Sequence, residues 1–106
     1  MSALTEQEFR LKSDEALDAL SRTLEPLADQ EGFEIDTQNG VLNLIFEEPS
    51  DMKFVISPNA PVRQIWVSAM AKGYKLDWSP DAGTFALNGE TLTALVERLT
   101  RTFLAS

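Results

Sequence analysis

Asp14, Asp18, Glu25 and Asp29 lie in the first long segment of apolar periodicity. At about 100° per residue they fall within roughly 60° of one another on a helix, opposite the apolar stripe. Glu15 and Glu8 sit at the flank, and only Arg22 interrupts the face. Glu34 and Asp36, on the strand that follows, extend the same acidic ridge. Asp14 and Asp18 are an i,i+4 like-charge pair, which costs a helix a few tenths of a kcal/mol, and a purely structural face more often alternates sign. Carboxylate oxygens at this spacing suit hard cations: Ca²⁺, Mg²⁺, Mn²⁺ and, by the same logic, iron. The ligand set is open, so binding there would be weak, wet and poorly selective. The helix pattern alone fits equally well an acidic face that serves only solubility.

Composition narrows the chemistry further. There is no His and no Cys, so Ser-His-Asp and Cys-His catalysis, thiolate ligation and disulfides are all excluded. No Gly-rich phosphate-binding motif occurs. Residues 1–36 hold ten acids against Arg10, Lys12 and Arg22, and so carry −7 of the net charge of −8. Such a surface repels nucleic-acid backbones and anionic membranes and attracts cations or basic protein patches. No apolar run approaches the ~20 residues of a membrane span, and no signal segment is visible. A cytoplasmic protein is expected, and 106 residues suit one domain with one core.

A second candidate is a single aromatic. In Gln64-Ile65-Trp66-Val67-Ser68 the alternation sends Ile65 and Val67 to one face and Gln64, Trp66 and Ser68 to the other. The first set is a core face, so the Trp66 indole stands among polar neighbours on the solvent side. An exposed Trp of this kind is a common anchor for a protein partner. Inverting the faces would make Trp66 a core residue, but it would also bury Gln64 and expose Ile65 and Val67. Trp78 shares parity with Tyr74 and Leu76 and is assigned to the core.

Local signals define the elements that carry these residues. Thr5-Glu6-Gln7-Glu8 is a capping box, with Leu4 and Phe9 as a hydrophobic staple. Phe9, Ser13, Ala16, Leu17, Leu20, Leu24 and Leu27 make the buried stripe of a helix that exits at Gln30-Glu31-Gly32, with a kink or broken turn expected at Pro26. Strands come next at 33–37, 41–46, 52–57, 61–68, 74–78 and 84–87. Asn39-Gly40 is a type I′ hairpin turn; further turns are read at Lys72-Gly73 and 79–83. Asn88 is read as the N-cap of a last helix whose buried stripe is Leu92, Leu95, Val96, Leu99 and Phe103. The order α-β-β-β-β-β-β-α with short turns predicts an α+β fold, a two-layer α-β sandwich with a mainly antiparallel sheet and both helices on one face. The open face is expected to carry Glu34, Asp36, Asn43, Lys53, Val55, Gln64, Trp66, Ser68, Lys75 and Asp77.

Gln64-Ile65-Trp66-x-Ser68, followed by Gly73-Tyr74-x-x-Asp77-Trp78, resembles the frataxin family, its small bacterial CyaY-type members most of all. The order of elements agrees from about residue 5 to residue 104. The resemblance implies a single frataxin-like domain over 1–106 that binds iron (Fe²⁺ or Fe³⁺) weakly through the ridge acids and modulates iron–sulfur cluster assembly. It also implies docking on the cysteine desulfurase and the iron–sulfur scaffold protein, with Trp66 on the contact face and Gln64, Asn43, Arg63 and Lys75 as its rim. A monomer is expected, with iron-dependent oligomerisation open. Two departures stand out. The family's ridge is denser near the helix end and first strand, and Phe85 replaces the Trp that frataxins usually carry on the last strand. The alternatives are an acidic protein-interaction module with no metal role and, less favoured, a ferroxidase.

Overall fold

The computed structural model describes residues 4–106. Its first helix, α1, runs Glu6–Glu31. The capping box forms as the sequence predicts: the Thr5 hydroxyl accepts from the Glu8 amide at 3.1 Å, and the Thr5 amide donates to Glu8 Oε1 at 2.9 Å. Gly32 ends the helix with φ +83°, a left-handed conformation that a Cβ would oppose. The expected break at Pro26 does not occur. Pro26 stands on the exposed side of the helix, where the carbonyl that loses its donor can turn to water.

Seven strands come next among the described residues: β1 (Glu34–Gln38), β2 (Val41–Phe46), β3 (Met52–Asn59), β4 (Gln64–Ala69), β5 (Lys72–Ser79), β6 (Thr84–Leu87) and β7 (Glu90–Thr91). They pair in sequence order, every neighbour antiparallel. The second helix, α2, runs Leu92–Leu104, and both helices cover one face of the sheet.

The seventh strand corrects the reading of Asn88. Asn88 (φ 51°) and Gly89 (φ 82°) are the centre of a two-residue turn that pairs Leu87 with Glu90. Thr91 caps α2 instead, its hydroxyl accepting from the Ala94 amide at 3.3 Å. The Asn-Gly pair at 39–40 forms the same kind of turn, as expected. The turn read at Lys72-Gly73 is also displaced. It falls at Met70 (φ 51°) and Ala71 (φ 63°), so that Ala69 pairs with Lys72. Neither Met nor Ala favours the left-handed region, and no residue-type signal marks the turn.

The centre of the sheet's inner face is apolar: Leu42, Leu44, Phe46, Phe54, Ile56, Ile65, Val67, Leu76 and Phe85 are buried against the stripes of α1 and α2. Phe46 lies at the centre of an aromatic cluster, with ring centroids 4.7 Å from Phe33, 5.0 Å from Phe54 and 4.9 Å from Phe103. Phe85 is fully buried, edge-on to Phe9 and Trp78. It takes a core position on β6. Trp78 faces the helices as its parity requires, but it is only half buried, with Lys12 over its ring.

Candidate functional site

The acids of α1 are placed by helical periodicity alone. Asp14, Glu15, Asp18, Glu25 and Asp29 are all exposed. Asp18 is paired with Arg22 at 2.7 Å and Glu15 with Lys12 at 3.6 Å, each within its own helix. Asp14, Glu25 and Asp29 form no ion pair among the described residues. Asp14 and Asp18 border a depression between α1 and the β1–β2 hairpin, with Ser21 and Thr37 on its walls. Glu34 and Asp36 sit at the edge of the sheet next to this helix, but they alternate onto its open face, opposite Ile45 and Asn43. The ridge therefore wraps an edge of the molecule and does not converge. Among the described residues no three acidic side chains are grouped closely enough to hold one ion. The donors are hard, exposed and well spaced, which fits a loosely held cation at the surface and not a coordination cage.

The open face of the sheet is built differently. Antiparallel register sets Gln64 opposite Asp77 and Trp66 opposite Lys75, in adjacent rows. Trp66 is 37% exposed, a large value for an apolar side chain in the middle of a sheet. Its Nε1–H donates to Gln64 Oε1 at 2.9 Å, and the Gln64 Nε2 donates to Asp77 Oδ1 at 3.0 Å. The Lys75 ammonium stands 5.0 Å from the indole centroid, within cation–π range. A shallow depression of about 240 Å³ opens beside the ring, bordered by Val55, Ser57, Ser68, Gly73 and Lys75. It exists because small residues surround the indole. A Cβ at Gly73 would meet nothing within 4 Å.

Two of the expected rim residues are turned away or covered. Arg63 adopts φ 54° after the short 3-10 turn Ala60–Val62. Its guanidinium donates to the carbonyls of Ala60 and Leu4, the latter at 3.4 Å, so it is spent on tying the loop to the start of α1. Asn43 has the right parity but is only 8% exposed, between Asp36 and Val55 in its row, and offers a partner little surface. Gln64 and Lys75 are where the sequence places them. Asp77 is a member of the block that parity put on the open face without a role. The missing signal was the β4–β5 register: a turn at Lys72-Gly73 would have set Asp77 four residues away from Gln64.

Two helices on one face of an antiparallel meander, with an exposed Trp on the opposite face, define the class as a two-layer α+β sandwich of frataxin type. A model of the frataxin-like domain matches residues 2–105, and the chain belongs to the frataxin family. It is 35% identical over 88 residues to the iron–sulfur cluster assembly protein CyaY of Pseudomonas aeruginosa, covering 79% of this chain and 80% of that one. It is 30% identical over 102 residues to the CyaY of Pseudomonas syringae pv. tomato, covering 92% and 87%. The solved frataxin of Psychromonas ingrahamii superposes with a TM-score of 0.64 at 21% identity, over 97% of this chain and 92% of that one, which supports the shared fold.

Proposed function

We propose that this protein is a cytoplasmic component of iron–sulfur cluster assembly, acting as a single-domain adaptor. It holds iron weakly on the carboxylates of α1 and β1 and docks on the cysteine desulfurase–scaffold complex. The observation that carries the docking is Trp66. Exposing a large indole forgoes the ~1.5–3 kcal/mol that burying a large apolar side chain supplies, yet here its N–H and its ring are both held in place. A pinned, exposed indole on an otherwise uncovered sheet is the form a binding anchor takes. The relatives that share this fold are named for cluster assembly, which supplies the partner class.

The acidic face contributes in a second way. Its charge is spread over several side chains, so it attracts a cation or a basic patch through summed potential. The ion pairs of Asp18 and Glu15 favour a second reading of this face, as a docking surface for a basic protein patch without metal. Two measurements test the metal and the docking. Titrating Fe²⁺ into isotope-labelled protein should broaden amides around Asp14, Asp18, Glu25, Asp29, Glu34 and Asp36, and a sensor loaded with the desulfurase–scaffold complex should retain the wild type and lose Trp66→Ala. Broadening centred elsewhere overturns the metal assignment; equal retention of the variant overturns the docking. Oxygen uptake during the same titration checks for iron oxidation.

A further inference from the structure

We propose that Asp77 is a positioning residue for Trp66, acting through the Gln64 amide. The inference rests on the reading of Trp66 as a docking anchor and assigns a neighbour a specific job within it.

A glutamine side chain by itself has no fixed polarity. A carboxamide has one end that only accepts and one end that only donates, and the two have nearly the same shape. The indole Nε1–H only donates. Gln64 can therefore hold Trp66 only if its oxygen faces the ring. Left alone, the amide could turn over and present its NH₂ group to the indole, donor against donor. Asp77 removes that freedom. Its ionised carboxylate accepts and cannot donate, so it binds the NH₂ end of Gln64, at 3.0 Å, and leaves the oxygen for Trp66 at 2.9 Å. Polarity thus runs one way along the row: Trp66 donates to Gln64, and Gln64 donates to Asp77.

The sheet makes the relay short. Gln64 and Asp77 are directly opposite across β4 and β5, and Trp66 stands two residues from Gln64 on the same face. Lys75 closes the block from the other strand, over the indole. The anchor is thus held at its N–H and over its ring. Fixing it before a partner arrives spares the entropy of immobilising it on docking.

The test uses the two tryptophans as signal and control. In the labelled full-length protein, Asp77→Ala should shift the Trp66 Nε1–H resonance and speed its exchange with water, while the Trp78 resonance stays in place. Asp77→Asn, whose amide can accept from Gln64 but can also donate to it, should move the resonance less than Asp77→Ala does. Docking on the desulfurase–scaffold complex should weaken about 3–10-fold in Asp77→Ala, the loss expected from freeing one anchored side chain, and by less in Asp77→Asn. A swap is more demanding. Gln64→Glu alone sets two carboxylates face to face and should weaken docking. Combined with Asp77→Asn it rebuilds the relay, with the Asn amide donating to Glu and Glu accepting from the indole. Docking and the Trp66 resonance should then both recover.

An unmoved Trp66 resonance in Asp77→Ala overturns the positioning role. So does a moved resonance with unchanged docking when Trp66→Ala has lost it, and so does failure of the swap to recover either readout. If Trp66→Ala docks normally, it is the anchor reading that falls, and the resonance of Asp77→Ala still decides whether Asp77 holds the indole.

Discussion

The outer face of α1 and the open face of the sheet present surface to the solvent in different ways. On the helix, each acid is placed by its own position in the chain, and its charged partners are near neighbours: Arg22 for Asp18, Lys12 for Glu15. On the sheet, Gln64, Trp66, Lys75 and Asp77 come from two strands and hold one another. On the proposed function the helix face acts by the sum of its charges, so moving one carboxylate by an ångström should change little. The sheet block acts by geometry, so losing one member should change the others.

The sharpest way to break this comparison is to truncate the two tryptophans. Trp66→Ala should cost docking at least ~2 kcal/mol, about 30-fold, while folding stability falls by no more than ~1 kcal/mol. Trp78→Ala should lose more stability, toward the ~3 kcal/mol lower end for aromatic truncation because Trp78 is half buried on Phe85, and keep the Trp66 surface. Chemical denaturation beside a binding measurement reads both. Unfolding of the Trp66 variant alone would mean that the sheet faces are inverted.

A smaller effect tests how the block is set in register. Ala71 is exposed with φ 63°, so Ala71→Gly should stabilise the protein by roughly 1 kcal/mol and leave docking unchanged. Destabilisation there would show that the Met70-Ala71 turn does not hold the β4–β5 pairing as described.

On the helix side single effects should be smaller. Asp14→Asn should raise stability by a few tenths of a kcal/mol through relief of repulsion. Asp18→Asn should not, because it also removes the Arg22 pair, an exposed contact worth ~0.3–0.5 kcal/mol. Thermal denaturation of both at low salt compares them. Salt itself should separate the two regions: raising it should weaken whatever the ridge contributes to docking and spare the Trp66 contact.

Acid should act on the start of α1. The Glu8 carboxyl is held below its ordinary value, first by the Thr5 backbone N–H and then by the Thr5 hydroxyl. Its contribution to folding is present above the ordinary glutamate value and is lost as pH falls through the lowered one. The destabilisation caused by Glu8→Ala should therefore be seen at neutral pH and shrink in acid. Glu90, lowered by its hydrogen bonds from Arg98 at 2.8 and 2.9 Å, should behave in the same sense in Glu90→Ala.

Much of the molecule was legible in the chain because it is local. Helical period 3.6 put Asp14, Asp18, Glu25 and Asp29 on one face, strand period 2 separated Trp66 from Ile65 and Val67, and the capping box announced α1. Those patterns depend on bond geometry and on neighbours a few residues away. Asn88-Gly89 was legible too, as the same dipeptide as Asn39-Gly40, but a helix N-cap competed for the same asparagine.

Register and its consequences belonged to the tertiary structure. Met70 and Ala71 carry no turn signature. They accept the left-handed region because the paired strands and the core beneath Ile65, Val67 and Leu76 outweigh the local cost. Only that pairing brings Asp77 to Gln64. Likewise, no pattern in the chain could say that Arg63 would turn to the carbonyls of Leu4 and Ala60, or that Asn43, on the open face, would be covered. Periodicity names the face on which a side chain stands; its neighbours on that face come from distant parts of the chain, and packing chooses them.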